Sequence, residues 1–354
     1  MFFKRLVLTC QKQFQYERSI SAVYYLIQGK QSIQTIQDAQ LYGLTSYYGI
    51  FKNLKKEQFM QIITEMVQQK LLQSQHVDNY YTLTKKGKSW LQTNPVDHHY
   101  FQGFKYKQID SIYFSRLLLL IQVLTNSKKR NYTYIPIIEN DSIENWIKQM
   151  YSNFKNKLDY SLHVLYQELS SIFSQLPATY PSILLDQFTS YQTVGLTVNQ
   201  IAAKYHLRVE DISIITTNVI HFVLTTIQNQ PNDYSFLYFI GKDLFSIKNL
   251  TNSAKKTKEL LHQGQSIPQI ALARNLKVNT IYDHIVEIAL QDDHFPLSQY
   301  VSEKTQEQIM EAIEQTQSYK LKTIKEVVGE TISYFQIRLV LAKLTKFVDG
   351  RIVK

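Results

Sequence analysis

Two stretches of this chain have the residue types to hold phosphate. Lys30 and Ser32 sit in the polar turn Lys30-Gln31-Ser32, directly before a helical pattern through Ile33, Ile36 and Ala39. A hydroxyl and an ammonium at a helix amino end make a phosphate cradle, because the first backbone N–H groups lack partners and the helix dipole favours an anion. Lys52, Lys55 and Lys56 precede the next pattern, Phe59-Ile62-Ile63-Met66-Val67. They either extend that backbone contact or stand as solvated lysines on a loop. Far along the chain, Arg274 and Lys277 fall in a turn, and Asn279 and Thr280 open a helix. The start of the second helix in a helix-turn-helix pair is the part that usually meets DNA.

Catalytic chemistry is hard to find. Nine histidines are scattered, no His-Glu-x-x-His occurs, and His98-His99 has only the adjacent Asp97 as a carboxylate nearby in sequence and no thiol. The single cysteine, Cys10, excludes an intramolecular disulfide framework and a cysteine-rich zinc site. Gly87-Lys88-Ser89 has the last three letters of a P-loop, but Thr82 stands where its first glycine belongs. No Ser-His-Asp spacing or carboxylate cluster appears, so no enzyme, cofactor or metal is expected. The 25 tyrosines suit base stacking or protein contacts.

The elements that must position the lysines follow from periodicity. Ile20, Val23, Tyr24 and Ile27 give an apolar helical stripe closed by Gly29. The Ile33–Ala39 and Phe59–Val67 patterns add two more helices. Leu71–Thr84 has strand character on either side of Asp78-Asn79 and reads as a β-hairpin wing. Three helices and a hairpin make a winged helix-turn-helix. Charge is concentrated there: residues 1–110 carry 14 Lys/Arg against 7 Asp/Glu, the remaining residues 25 against 22. A phosphate backbone is attracted by that excess.

The rest reads as helical, with breaks at 93–97, 229–233 and 249–253. Its many Gln, Asn and Tyr residues read as ordinary surface choices. Gly195-Leu196-Thr197-Val198-Asn199-Gln200-Ile201-Ala202 recurs 69 residues later as Gly264-Gln265-Ser266-Ile267-Pro268-Gln269-Ile270-Ala271. Both copies open with a capping-box pattern, so each predicts a helix-turn-helix. In the first, Glu210-Asp211 at the start of the second helix would repel phosphate, which makes that copy structural. In the second, Asn279, Thr280, Tyr282 and Asp283 are expected on the outer side. The apolar run Leu117–Ile121 is too short to span a bilayer. The segment ending at Cys10 is too short for a signal peptide, which favours a buried Cys10.

Residues 20–91 resemble the winged-helix part of the RecQ C-terminal (RQC) domain of RecQ-family helicases. The resemblance is carried by Leu26-Ile27-Gln28-Gly29-Lys30-Gln31-Ser32, Gly43-Leu44-Thr45-Ser46-Tyr47-Tyr48-Gly49-Ile50, Lys55-Lys56-Glu57-Gln58-Phe59 and Tyr81-Thr82-Leu83-Thr84-Lys85-Lys86-Gly87. Residues 255–290, continued by Leu321, Ile324 and 332–342, resemble the helix-turn-helix module appended to some RecQ proteins. Taken whole, the chain resembles the bacterial YpbB family, stand-alone proteins encoded beside a short RecQ-type helicase. About half the chain carries the likeness, at its two ends. The helicase motor and the four-cysteine zinc subdomain of RecQ proteins are missing.

The resemblance implies a non-catalytic DNA-binding accessory protein that supplies DNA-binding parts in trans to a RecQ-type helicase, in DNA repair and recombination. It places Lys30, Ser32, Lys85 and Lys86 against DNA. At the wing tip, where some RQC domains stack an aromatic residue on the last base pair, His76 is the only ring available. The expected fold is mainly α: a winged-helix domain over 1–100, a helical middle domain with a degenerate helix-turn-helix over 101–250, and a helix-turn-helix domain over 251–354. Expected partners are duplex or fork DNA and the helicase, with no membrane, in a cytoplasmic, nucleoid-associated setting. The alternatives are a helix-turn-helix transcriptional regulator and a protein-interaction scaffold.

Overall fold

The computed structural model describes residues 1–75, 77–95, 100–247 and 250–344, together with strand residues 347–348 and 351–352. The fold is mainly α. In chain order come α1 (Phe2–Gln13), α2 (Ile20–Gln28), α3 (Ile33–Leu41), α4 (Lys56–Gln68), β1 (Leu72–Ser74), β2 (Tyr81–Leu83) and α5 (Lys85–Thr93). The middle holds α6 (Gly103–Tyr106), α7 (Asp110–Lys128), α8 (Asp141–Phe154), α9 (Leu158–Phe173), α10 (Thr179–Leu185), α11 (Val198–Tyr205), α12 (Val209–Asn229) and α13 (Ser235–Gly241). Last come α14 (Asn252–His262), α15 (Ile267–Ala273), α16 (Val278–Gln291), α17 (Glu303–Thr316), α18 (Leu321–Val328) and α19 (Tyr334–Lys343), with a strand pair β3 (Phe347–Val348) and β4 (Arg351–Ile352).

The N-terminal order of helices and hairpin is that of a winged helix-turn-helix, and local chemistry sets its boundaries. Gly29 takes the left-handed conformation (φ 78°) and closes α2 by donating to the carbonyls of Tyr25 and Leu26. Ser32 then caps α3 by accepting from the Thr35 N–H. The wing is antiparallel, with Leu72 opposite Leu83 and Ser74 opposite Tyr81. Leu72 and Leu83 are the buried wing residues, while Tyr80 and Tyr81 are both half-buried. Alternation alone would have sent one tyrosine inward.

The chain divides into two compact units. One holds Met1–Leu8, Gly49–Leu71 and Lys85–Ile247; the other holds Thr9–Tyr48, Leu72–Thr84 and Lys248–Lys354.

The first unit is built around α7 and α12. Ile212, Ile215, Val219, Val223, Leu224 and Ile227 of α12 are almost fully buried, among Leu117, Leu120 and Leu124 of α7 and the helices around them. Polar groups in this core are paired. Arg116 forks onto Asp243 at 2.7 and 2.8 Å and lies 4.2 Å from the Trp146 ring centre. Glu168 accepts the N–H groups of Phe236 and Leu237 at 3.0 and 2.8 Å, capping α13. Among the described residues, no helix is long and apolar enough to cross a membrane. Gly87 shows why α5 carries a glycine: a Cβ there would sit 2.1 Å from the Leu71 carbonyl oxygen.

Within the second unit the two ends of the chain meet. α16 and α19 both pack on α3. Gln37 of α3 is buried and donates to the Arg338 carbonyl at 2.8 Å, and Gln40 donates to the Leu290 carbonyl at 3.2 Å. Arg18 holds Asp38 in two bonds of 3.0 and 2.9 Å and also donates to the Tyr319 carbonyl at 3.2 Å. Tyr42 packs edge-on against both Phe14 and Tyr319. Gln11, like Gln37, is fully inside, bonded to the Tyr81 carbonyl at 2.6 Å. A glutamine amide can satisfy a buried carbonyl that no leucine could, so polarity alone did not mark these faces as solvent. Cys10 is buried as expected, and burial pushes its thiol far up.

Candidate nucleic-acid interface

In the first unit, Lys55 and Lys56 stand exposed at the start of α4. Gln58, Gln61, Thr64 and Gln68 continue an uncharged polar face along that helix. Lys85 is exposed in the first turn of α5. Lys86 is exposed too, with its amine on the Gln69 carbonyl at 3.0 Å.

Lys52 has a different setting. Its amine is paired with the Asp110 carboxylate and lies 3.1 Å from the Ser111 hydroxyl. The other Asp110 oxygen faces Nε2 of the buried His221 at 3.3 Å, and His221 Nδ1 accepts the Gln102 N–H at 3.1 Å. That backbone donor leaves the ring proton on Nε2, aimed at Asp110. Burial holds the imidazole below its usual value and therefore neutral, against the pull of Asp110. Burial alone would raise the Asp110 carboxyl, but His221 and Lys52 together hold it below the usual carboxylate range. Lys52 is thus a counter-charge for a buried carboxylate.

In the second unit, the Lys30 amine lies 3.9 Å from the centre of the Tyr25 ring, with its charge exposed. Ser32 is half-buried at the cap of α3. The same turn faces a pair of basic residues absent from the sequence reading. Lys320 and Lys322, which bracket the start of α18, line one cleft together with Lys30 and Ser32. Their signal in the sequence was faint: Lys320-Leu321-Lys322 is a short alternation with nothing to tie it to residue 30. His76 lies outside the described residues, as does the His98-His99 pair.

The internal repeat is realised as two helix pairs, α11–α12 and α15–α16. Each opens with a full capping box, Thr197 with Gln200 and Ser266 with Gln269. A third box, Ser333 with Gln336, opens α19 after α18. In the first pair, Asp211 is buried, accepts the Phe3 N–H at 2.8 Å and pairs with the Met1 amine, while Glu210 pairs with Arg208 at 3.3 Å. These carboxylates cap and pin helices.

The second pair departs from the expectation that four residues face outward. Tyr282 stacks on Phe335 at 4.1 Å, and Asp283 is bridged to Arg338 at 2.7 Å, so α19 covers that flank of α16. Lys277 and Asn279 remain exposed and Thr280 half-buried. Arg274 turns back on its own module, donating to the Ser253 carbonyl and hydroxyl at 2.8 Å each and to the Thr257 hydroxyl. Thr257 in turn meets His284 Nδ1 at 2.9 Å. Among the described residues, no group of three or more His, Cys, Asp and Glu is placed to hold a metal ion.

Comparison with known proteins places these modules. The RQC domain family matches residues 6–98, and a helix-turn-helix domain family matches residues 253–341. Both are modules of kinds that bind DNA. Protein YpbB of Bacillus subtilis (strain 168) is 29% identical over 98% of this chain and 99% of its own length. No solved structure matches. Similarity over almost the whole length of both chains, with the RQC and helix-turn-helix modules at the two ends, supports membership of the YpbB family.

Proposed function

We propose that the protein is a non-catalytic DNA-binding accessory of a RecQ-type helicase, acting on duplex or fork DNA in repair and recombination. The observation that carries this is an RQC match over residues 6–98 in a chain with no P-loop. A RecQ C-terminal module without a motor serves DNA that another protein unwinds.

Contact with the sugar-phosphate backbone falls to Lys55, Lys56 and Lys85 in one unit and to Lys30 and Ser32 in the other, all on or near the surface. Lys86 joins them when its amine leaves the Gln69 carbonyl. Lys277, Asn279 and Thr280 form a smaller face at the start of α16. Lys52 and Arg274 act by positioning, since both are held by intramolecular partners.

Gel-shift titrations on forked and linear duplexes across a salt series test the DNA half. Fork preference is expected, with binding that weakens steeply as salt rises. Lys55→Gln/Lys56→Gln should flatten the log K versus log salt slope by about 2. Co-purification with a RecQ-type helicase tests the other half. Tight binding to one operator with indifference to forks would replace the proposal with a transcriptional regulator. No binding at low salt would leave a protein scaffold.

A further inference from the structure

The second unit contains a cleft of about 510 Å³ walled by both ends of the chain. Tyr25 of α2, the first turn of α3 and Tyr80 of the wing form one side, and residues 320–322 form the other. The amino ends of α3 and α18 therefore both open into it. Three lysines line it, Lys30, Lys320 and Lys322, and no ion pair holds any of them among the described residues. The two carboxylates beside them are already engaged. Asp38 takes Arg18 in two bonds and Gln34 at 2.8 Å. Glu17 accepts the Tyr42 hydroxyl and the Tyr319 N–H, the latter at 3.2 Å. The uncompensated charge of the cleft is positive.

We infer that this cleft seats an unpaired DNA strand, an inference that rests on the DNA-binding reading and names the form of DNA at this site. Size decides against a duplex. Even its major groove is about 12 Å wide, whereas a cleft of this volume takes a ligand of drug size, which is the scale of a nucleotide. A single strand also offers base faces that a duplex hides. Tyr25 and Tyr80 supply rings to stack on, next to lysines that take the phosphates. The Lys30 amine lies over the Tyr25 ring, so a base stacks on that face as the ammonium swings out onto a phosphate. The C-terminal module thereby completes a site that the winged helix only half builds.

The test uses the full chain and a fluorescent oligo-dT in anisotropy titrations, with a blunt DNA hairpin and inorganic polyphosphate as comparators. Lys320→Gln/Lys322→Gln should weaken oligo-dT binding about tenfold and flatten its salt slope by about 1.4, the slope expected for two single-strand phosphate contacts. Hairpin affinity should stay within about twofold. Tyr25→Leu should weaken oligo-dT by about fivefold or more, the lower range for losing one base stack, and leave polyphosphate unaffected. Unchanged oligo-dT binding in the lysine variant, with hairpin binding intact, overturns the cleft and spares the DNA-binding reading. Equal loss of polyphosphate and oligo-dT in the lysine variant, with Tyr25→Leu silent on both, overturns it as a mere polyanion patch. Wild-type protein that binds neither oligo-dT nor hairpin sinks both readings.

Discussion

Arg18→Ala should destabilise the second unit far more than a single surface charge can. Arg18 and Asp38 side chains are only 12% and 5% exposed, and the guanidinium makes two bonds to the carboxylate plus one to the Tyr319 carbonyl. Breaking a buried pair by removing one partner costs about 3–5 kcal/mol, because the remaining charge stays desolvated. Gln34 still donates to Asp38 at 2.8 Å, which places the cost toward the low end, about 3 kcal/mol. For a unit of this size that is a fall of about 6–12 °C in Tm. Thermal and urea unfolding followed by circular dichroism would measure it. Arg18→Leu/Asp38→Leu should lose less than the single variant, since two packed leucines leave no orphaned charge. A single-variant loss below about 1 kcal/mol, or a double variant worse than the single, would refute the view that this buried pair holds the second unit together.

Three further outcomes follow from the same geometry. His221 and His284 are both held below their usual values by burial, His284 also by Arg274, so the unfolded chain takes up protons that the folded one resists. Their stabilising contribution is complete above the unfolded histidine value, about 6.5, and is lost as pH falls below it. Melts should drop between pH 7 and 5.5, and His221→Gln should flatten part of that slope; a pH-independent wild type would refute this. Gly87→Ala should cost about 1–3 kcal/mol in thermal unfolding, because its Cβ meets the Leu71 backbone, which cannot swing aside as a side chain can. Arg274→Ala should lower Tm while changing duplex affinity by less than about threefold, since its guanidinium is spent on Ser253 and Thr257; gel shifts beside melts check both.

Local signals were read well from the sequence, and long-range ones were not. Gly29, Ser32 and the capping boxes at Thr197 and Ser266 act within four residues, so residue type and spacing suffice to place α2, α3, α11 and α15. Ile281 and Ile285 of α16, spaced i, i+4, are buried on one helix face, as local periodicity requires. What escaped is whatever depends on a partner beyond the local helix, from 20 to 301 residues away. Gln37, Gln40 and Asp38 look like a polar helix face, and only the arrival of Arg338, Leu290 and Arg18 turns that face into an interior. The same blindness hid the role of Lys52, whose partner Asp110 carries no sequence mark of being buried. It also hid Lys320 and Lys322.

The packing of α16 and α19 on α3 narrows how this protein can use its modules. Here α16 and α19 cover the inner length of α3, so DNA contact around that helix falls to the turn before it and to what borders that turn, apart from the separate face at the start of α16. Since the C-terminal segment forms one wall of that border, its removal would strip Lys320 and Lys322 from the cleft and expose Gln37 and Asp38 at once. A chain cut before α14 is therefore expected to lose solubility and single-strand affinity together. Modules that merely shared a linker would instead keep both properties when separated, because neither would supply the other with buried polar partners.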